Sequence, residues 1–206
     1  MDRNGKNPAV VLEYANEKGK ETNVVLDISV RDGSLYIVRD DLEAGTVIVT
    51  EYQLDSGSSE DILTTQVPGD YTAKYSPEAG LLYVNDYYGR TFLVSTEQPE
   101  PVQILEDDMV ENYLPMEDGG LLWLDSINKN LYKNDQLLLE ETNAYYSLYP
   151  CEDGIVFDSE SDSRLSIYNF DTGTVNSIYS VDFSLSYLLF SVVCTICILY
   201  LCALIF

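Results

Sequence analysis

From residue 24 to residue 180 the apolar positions fall in short runs of three to seven. They alternate with polar residues, and acidic, Gly- or Asn-containing turns separate them. That pattern predicts β-strands rather than helices, because side chains on a strand point alternately to its two faces. Four segments align with one another: RDGSLYIVRDD (31–41), EAGLLYVNDYY (78–88), DGGLLWLDSIN (118–128) and EDGIVFDSESD (152–162). In each, a polar turn leads to a glycine, then to an apolar strand, then to another polar turn. The anchor glycines Gly33, Gly80, Gly120 and Gly154 are 47, 40 and 34 residues apart. Each is expected to allow the tight or left-handed turn before its strand.

Around each anchored strand three more are expected. Strands at 24–30, 71–75, 111–114 and 145–149 come before it. Strands at 46–53, 91–95, 130–133 and 164–170 follow it, and then 61–65, 101–105, 136–140 and 175–180. Four strands per unit of roughly 40 residues is the spacing of a β-propeller blade. A four-stranded sheet that is apolar on both faces cannot bury them alone, and packing against neighbouring sheets covers both. The runs Leu81–Leu82–Tyr83–Val84 and Leu121–Leu122–Trp123–Leu124 are apolar on both faces, as the middle of such a blade requires. The expected fold is therefore all-β: a propeller-like array of about four blades, near 24–65, 71–105, 111–140 and 145–180, within a domain at 1–182. A β-sandwich has short strands and regular turns too and is the competing architecture. Chance similarity among turn-rich strands is the other.

The Gly-Leu-Leu-Tyr-Val-Asn-Asp and Gly-Gly-Leu-Leu-Trp-Leu-Asp runs carry a resemblance, with turns such as Asn169–Phe170–Asp171–Thr172–Gly173. Residues 9–180 resemble divergent bacterial extracytoplasmic β-propeller repeats, TolB-like or YWTD-like, as found in the sensor regions of membrane signalling proteins. No YWTD repeat, blade-end Trp-Asp or kelch double glycine recurs in every unit, so the resemblance transfers no functional residue.

The pattern changes at residue 183. The last 24 residues, FSLSYLLFSVVCTICILYLCALIF, contain no charge. As a helix they would span roughly 36 Å, enough to cross a hydrocarbon core of about 30 Å with some tilt. A single transmembrane helix at 183–206 is the expectation, making the membrane itself a partner. Three of the four cysteines lie there, and the C-x-x-C of Cys194 and Cys197 falls mid-span, where a thiolate would be badly desolvated. Cys151 stands alone in the remainder. The first 21 residues lack the apolar core of a signal peptide. Arg3–Asn4–Gly5–Lys6 reads as a hairpin tip and 9–14 as the strand leaving it, so the chain reads as a fragment of a larger membrane protein. A short protein anchored by its C-terminal tail, with a complete four-bladed ring, is the alternative.

Charge narrows the function classes. Thirty-five acidic residues against eleven Lys and Arg leave a net charge of −24. A chain with no basic stripe cannot displace counterions from nucleic acid, so nucleic acid is not an expected partner. Histidine is absent, which removes His-based triads and His-ligated zinc sites. Adjacent carboxylates such as Asp40–Asp41, Asp107–Asp108 and Glu140–Glu141 read as solvated turns, and no catalytic residue is assigned. Asp158, Glu160 and Asp162 place oxygen ligands at alternating positions, as calcium loops do; ordinary Asx turns explain the same pattern. In the tyrosine pairs Tyr87–Tyr88 and Tyr145–Tyr146 one ring of each is expected to pack in the core and the other to reach solvent. Those four are the candidate ligand-binding residues.

Only Arg164 is basic within about 20 residues before the span, which favours an extracytoplasmic location for the blades. The resulting expectation is a non-catalytic, membrane-anchored domain that binds a ligand or protein, the sensor part of a larger signalling protein. A membrane-anchored envelope scaffold is the runner-up, and a propeller glycan hydrolase ranks below both.

Overall fold

The computed structural model describes residues 12, 22–67, 71–86, 88–105, 110–125, 127–140, 142, 144–151, 153–159 and 164–180, without the side chains of 111, 144–147, 158, 159, 164 and 178–180. Among the described residues there are sixteen strands: β1 (Asn23–Arg31), β2 (Ser34–Asp41), β3 (Thr46–Gln53), β4 (Ser59–Thr65), β5 (Tyr71–Ser76), β6 (Leu81–Asp86), β7 (Thr91–Ser95), β8 (Val102–Leu105), β9 (Val110–Pro115), β10 (Leu121–Asp125), β11 (Leu131–Lys133), β12 (Gln136–Leu139), β13 (Ala144–Cys151), β14 (Gly154–Ser159), β15 (Arg164–Asn169) and β16 (Thr174–Ser180). They form four sheets of four strands, each a meander in chain order. The sixteen strands expected between 24 and 180 are all found, with ends shifted by up to three residues; the hairpin tip expected at 3–6 and, apart from residue 12, the strand expected at 9–14 lie outside the described residues. The segment at 183–206, expected to be a transmembrane helix, lies outside the described residues. Among the described residues no helix is long and apolar enough to cross a membrane.

The chain divides into two compact units, Met1–Trp123 and Leu124–Phe206. In the first, one face of the β1–β4 sheet packs on the β5–β8 sheet. Val38, Val47, Val49, Leu63 and Val67 meet Ala73, Tyr75, Leu82, Val84 and Val94 in a single core, with Leu26, Tyr36, Tyr71 and Phe92 at its margin. Tyr36 and Tyr75 stack obliquely across this seam, their ring centroids 5.6 Å apart. Arg31 and Glu78 pair across it at 2.9 Å. Leu82, Tyr83 and Val84 are consecutive and all buried, so β6 buries both of its faces. Each such aliphatic side chain removed from water contributes about 1.5–3 kcal/mol. Leu121 to Leu124 on β10 are buried in the same way.

In the second unit Leu148, Ile155, Phe157 and Tyr168 form the buried core of the β13–β16 sheet. Thr142 fastens the chain ahead of β13, donating both its N–H and its hydroxyl to the Lys129 carbonyl at 2.8 and 2.7 Å.

The anchor glycines behave differently from one another. Gly33, with φ +80° and preceded by Asp32 at φ +47°, occupies the second position of a two-residue hairpin turn; Gly80 also has a positive φ. In the third repeat the left-handed residue is Gly119, not Gly120. The Gly119 N–H closes a turn onto the Met116 carbonyl, so the left-handed position falls one residue earlier. Gly154 is the first residue of β14 and has no positive φ. It is needed for space: a Cβ there would run into the carbonyl oxygen of Tyr168 on the neighbouring strand β15.

Candidate functional site

Three turns that follow the second strand of a sheet share one construction. In each, an aspartate at the strand end folds its carboxylate back over the turn. Asp41 Oδ1 accepts the N–H groups of Glu43 and Ala44, both at 3.0 Å. Asp86 Oδ1 accepts those of Tyr88 and Arg90, both at 2.9 Å. Asp125 Oδ1 accepts those of Ile127 at 2.7 Å and Asn128 at 3.3 Å. The carboxylate substitutes for backbone acceptors the turn lacks, and so stiffens it. A left-handed residue completes each turn: Gly45, Gly89 and Lys129.

The Asp86 turn is the most elaborate. The second carboxylate oxygen of Asp86 takes a fork from Arg90, Nε at 2.7 Å and Nη2 at 2.6 Å. Asp86 is almost fully buried, with its side chain 2% exposed. A two-pronged guanidinium–carboxylate pair fixes orientation as well as distance. The Arg90 guanidinium also lies over the rings of Tyr88 and Phe92, 5.5 and 5.6 Å from their centroids. Tyr88 itself is 73% exposed. The turn thus holds one exposed aromatic ring, Tyr88, on a rigid base.

In the first unit the Asp41 and Asp86 turns lie at the same end of their sheets. Tyr71, at the start of β5, donates its hydroxyl to Asp40 at the end of β2, and it sits opposite Asp86 in the β5–β6 register. Burial first, and then the Asp40 carboxylate, hold the Tyr71 phenol well above its ordinary range.

A second polar group spans the first strands of three successive sheets. Lys74 on β5 donates to the Tyr113 carbonyl at 2.7 Å and lies over the Tyr113 ring, 5.0 Å from its centroid. Thr72 donates to the Tyr113 hydroxyl at 3.3 Å. Asp27 on β1 faces Lys74 and accepts the backbone N–H groups of Ile28 and Tyr75. Burial raises the Asp27 carboxyl and lowers the Lys74 ammonium, and each opposes the other's shift. Burial also drives the Tyr113 phenol upward. These residues satisfy one another and so pin adjacent sheets; no nucleophile stands beside a base in this group.

Of the residues singled out from the sequence, Tyr88 is where solvent reach was expected, on an exposed turn. Tyr87 lies outside the described residues. Tyr145 and Tyr146 lie on β13, and their side chains are outside the description. The side chain of Asp158 on β14 is likewise outside, as are Glu160 and Asp162 altogether, so the calcium loop is not described. The analogous turns at Asp86 and Asp125 spend their carboxylates on backbone N–H groups and Arg90. Among the described residues no three acidic, Cys or His side chains are grouped to hold a metal ion.

No protein-family model and no curated protein matches the chain. Solved structures do. TolB from Acinetobacter baumannii aligns over 87% of this chain and 47% of its own, with a TM-score of 0.53 and 11% identity. A chain of a nidogen/laminin complex aligns over 80% of this chain and 82% of its own, with a TM-score of 0.42 and 8% identity. BamB from Moraxella catarrhalis aligns over 68% and 45%, with a TM-score of 0.42 and 9% identity. The chain spans about half the length of the TolB chain it matches. At such identities the likeness speaks to fold alone. Four four-stranded antiparallel meanders, together with the TolB alignment, establish that the chain carries divergent β-propeller repeats.

Proposed function

We propose that the protein is a non-catalytic binding propeller, held at the membrane by residues 183–206 with its blades on the extracytoplasmic side. In this reading it is the sensor part of a larger signalling protein. The observation that carries the binding role is the Asp86 turn. It holds an exposed tyrosine over a fixed guanidinium, at the same end of the sheets as the Asp41 turn. A rigid, exposed tyrosine such as Tyr88 is a residue type on which binding energy concentrates. The 24-residue uncharged tail supports the membrane anchor.

Two measurements test this reading. Cells expressing the chain are fractionated and the membranes washed with carbonate; the protein is expected in the membrane pellet. A Leu189→Arg/Val193→Arg variant, with two charges mid-span, is expected to leave it. A Tyr88→Cys variant in intact cells is expected to react with a membrane-impermeant maleimide. Wild-type protein in the wash, or labelling only after lysis, overturns the anchor or the orientation respectively.

The scaffold reading uses the same anchor and the same exposed turn. A signalling domain encoded in frame after Phe206 favours the sensor, and a coding sequence with no output domain favours the scaffold.

A further inference from the structure

Each of the three Asp-capped turns exposes one large apolar side chain at its tip: Leu42 is 57% exposed, Tyr88 73% and Ile127 65%. Water-facing turn tips ordinarily carry small polar residues, so a bulky side chain raised on a stiffened turn runs against the usual pattern. In the first unit two such tips share one end, brought together by the Tyr71–Asp40 bond and the Tyr71–Asp86 register pair. Carboxylates flank one of them: Asp40, Asp41 and Glu43 lie beside Leu42, whereas Asp86, beside Tyr88, is buried. The base beside Tyr88, Arg90, is already committed to Asp86.

We propose that Leu42 and Tyr88 are the apolar anchors of an interface for a basic protein partner, whose Lys and Arg meet the carboxylates of the Leu42 turn while its apolar side chains cover the two tips. The proposal rests on the binding role argued above and adds the partner's chemistry. Apolar anchors inside a charged rim are the ordinary anatomy of a protein interface. The chain's charge of −24 selects cationic partners at long range and disfavours anionic lipid headgroups. Preorganisation by the Asp caps lowers the ordering cost on binding.

The test uses purified protein in detergent and three synthetic twelve-residue peptides of alternating sequence: Lys-Leu, Lys-Ser and Glu-Leu. Binding is followed by fluorescence anisotropy at about 0.15 M salt, where long-range charge effects are screened beyond about 8 Å. The expected result is that Lys-Leu binds and that a Leu42→Ser/Tyr88→Ser variant loses about tenfold or more in affinity. A Val102→Ser variant, which removes an exposed apolar residue at the start of β8, paired with Leu93 midway along β7 and away from the two turns, is expected to bind as wild type. Circular dichroism is expected to be the same for all three proteins. Equal binding of Lys-Ser, or no loss in the double variant, overturns the proposal, since charge alone then suffices. Binding of Glu-Leu or of phosphatidylcholine vesicles through Leu42 and Tyr88 leaves the binding role standing and overturns the basic partner. Absence of any binding overturns both.

Discussion

The Lys74 ammonium donates to the Tyr113 carbonyl at 2.7 Å, tying the first strand of the second sheet to the first strand of the third. The two residues are 39 apart in sequence. The bond costs desolvation of a cation, and the charge that offsets this cost is Asp27, one sheet earlier.

Asp27 makes stability depend on pH in a defined direction. Its folded-state pKa is raised by burial above the ordinary carboxyl value. The folded protein therefore binds more protons than the unfolded chain between those two values. The contribution of Asp27 to stability falls as pH rises from about 4 through that window. Comparison with Asp27→Asn isolates this: the stability of wild type relative to the variant should decline as pH rises, in urea melts at a series of pH values. In Lys74→Met the opposing cation is gone, so the decline should extend to higher pH. A difference that is flat or rises with pH would show that Asp27 is not held in a desolvated place.

Gly154 is predicted to be intolerant of any side chain. Alanine there must push β14 from β15 at the Tyr168 carbonyl, which is backbone and cannot swing aside. A cost of about 2–3 kcal/mol is expected from such overpacking. Gly33→Ala meets no neighbour and suffers only from its left-handed backbone, about 1–2 kcal/mol. Denaturant midpoints of the two variants should rank in that order.

Arg39 is buried in the first sheet and spans all four strands. Its guanidinium donates to Asn23 on β1, to Thr50 on β3 at 3.2 Å and to Asp61 on β4 at 2.9 Å; Thr50 in turn donates to Asp61 at 2.6 Å. Arg39→Met keeps most of the stem but leaves the acceptors of this network unpaired. The loss should be about 1–3 kcal/mol. It should show as faster amide exchange at the β3–β4 pairing before global unfolding. Unchanged exchange would assign the strength of that edge to backbone pairing alone.

Asp86→Asn retains an acceptor for the turn N–H groups but gives up the ion pair with Arg90. Amide exchange at Tyr88 should then rise only modestly, whereas Asp86→Ala should raise it strongly and cost about 1 kcal/mol. Equal behaviour of the two variants would mean that the Arg90 fork, not the carboxylate cap, holds the turn.

Much of this architecture was legible in the residues. Strand positions followed from alternation and turn chemistry, because period two and Asx or Gly turns are local properties. The blade-like grouping followed from consecutive buried runs such as Leu82–Tyr83–Val84, which a one-sided sheet would not tolerate. The misassigned glycines mark the edge of local reasoning. Gly119 and Gly120 are indistinguishable until the turn closes on Met116, and the need for Gly154 lies across a strand pair. Asp41, Asp86 and Asp125 did leave a signal, an aspartate at the end of the second strand in three successive repeats.

What the sequence determined by itself was the set of strands, the repeat, the acidic character and the uncharged tail. These depend on neighbours within a few residues or on composition. Tertiary structure alone decided which side chains from different sheets meet. Asp27 and Lys74, or Tyr71 and Asp40, read as ordinary polar strand residues, because nothing local encodes a partner 31 or more positions away. Stacking of the sheets brings them together, and burial then turns their charges and hydroxyls into the bonds that join one repeat to the next.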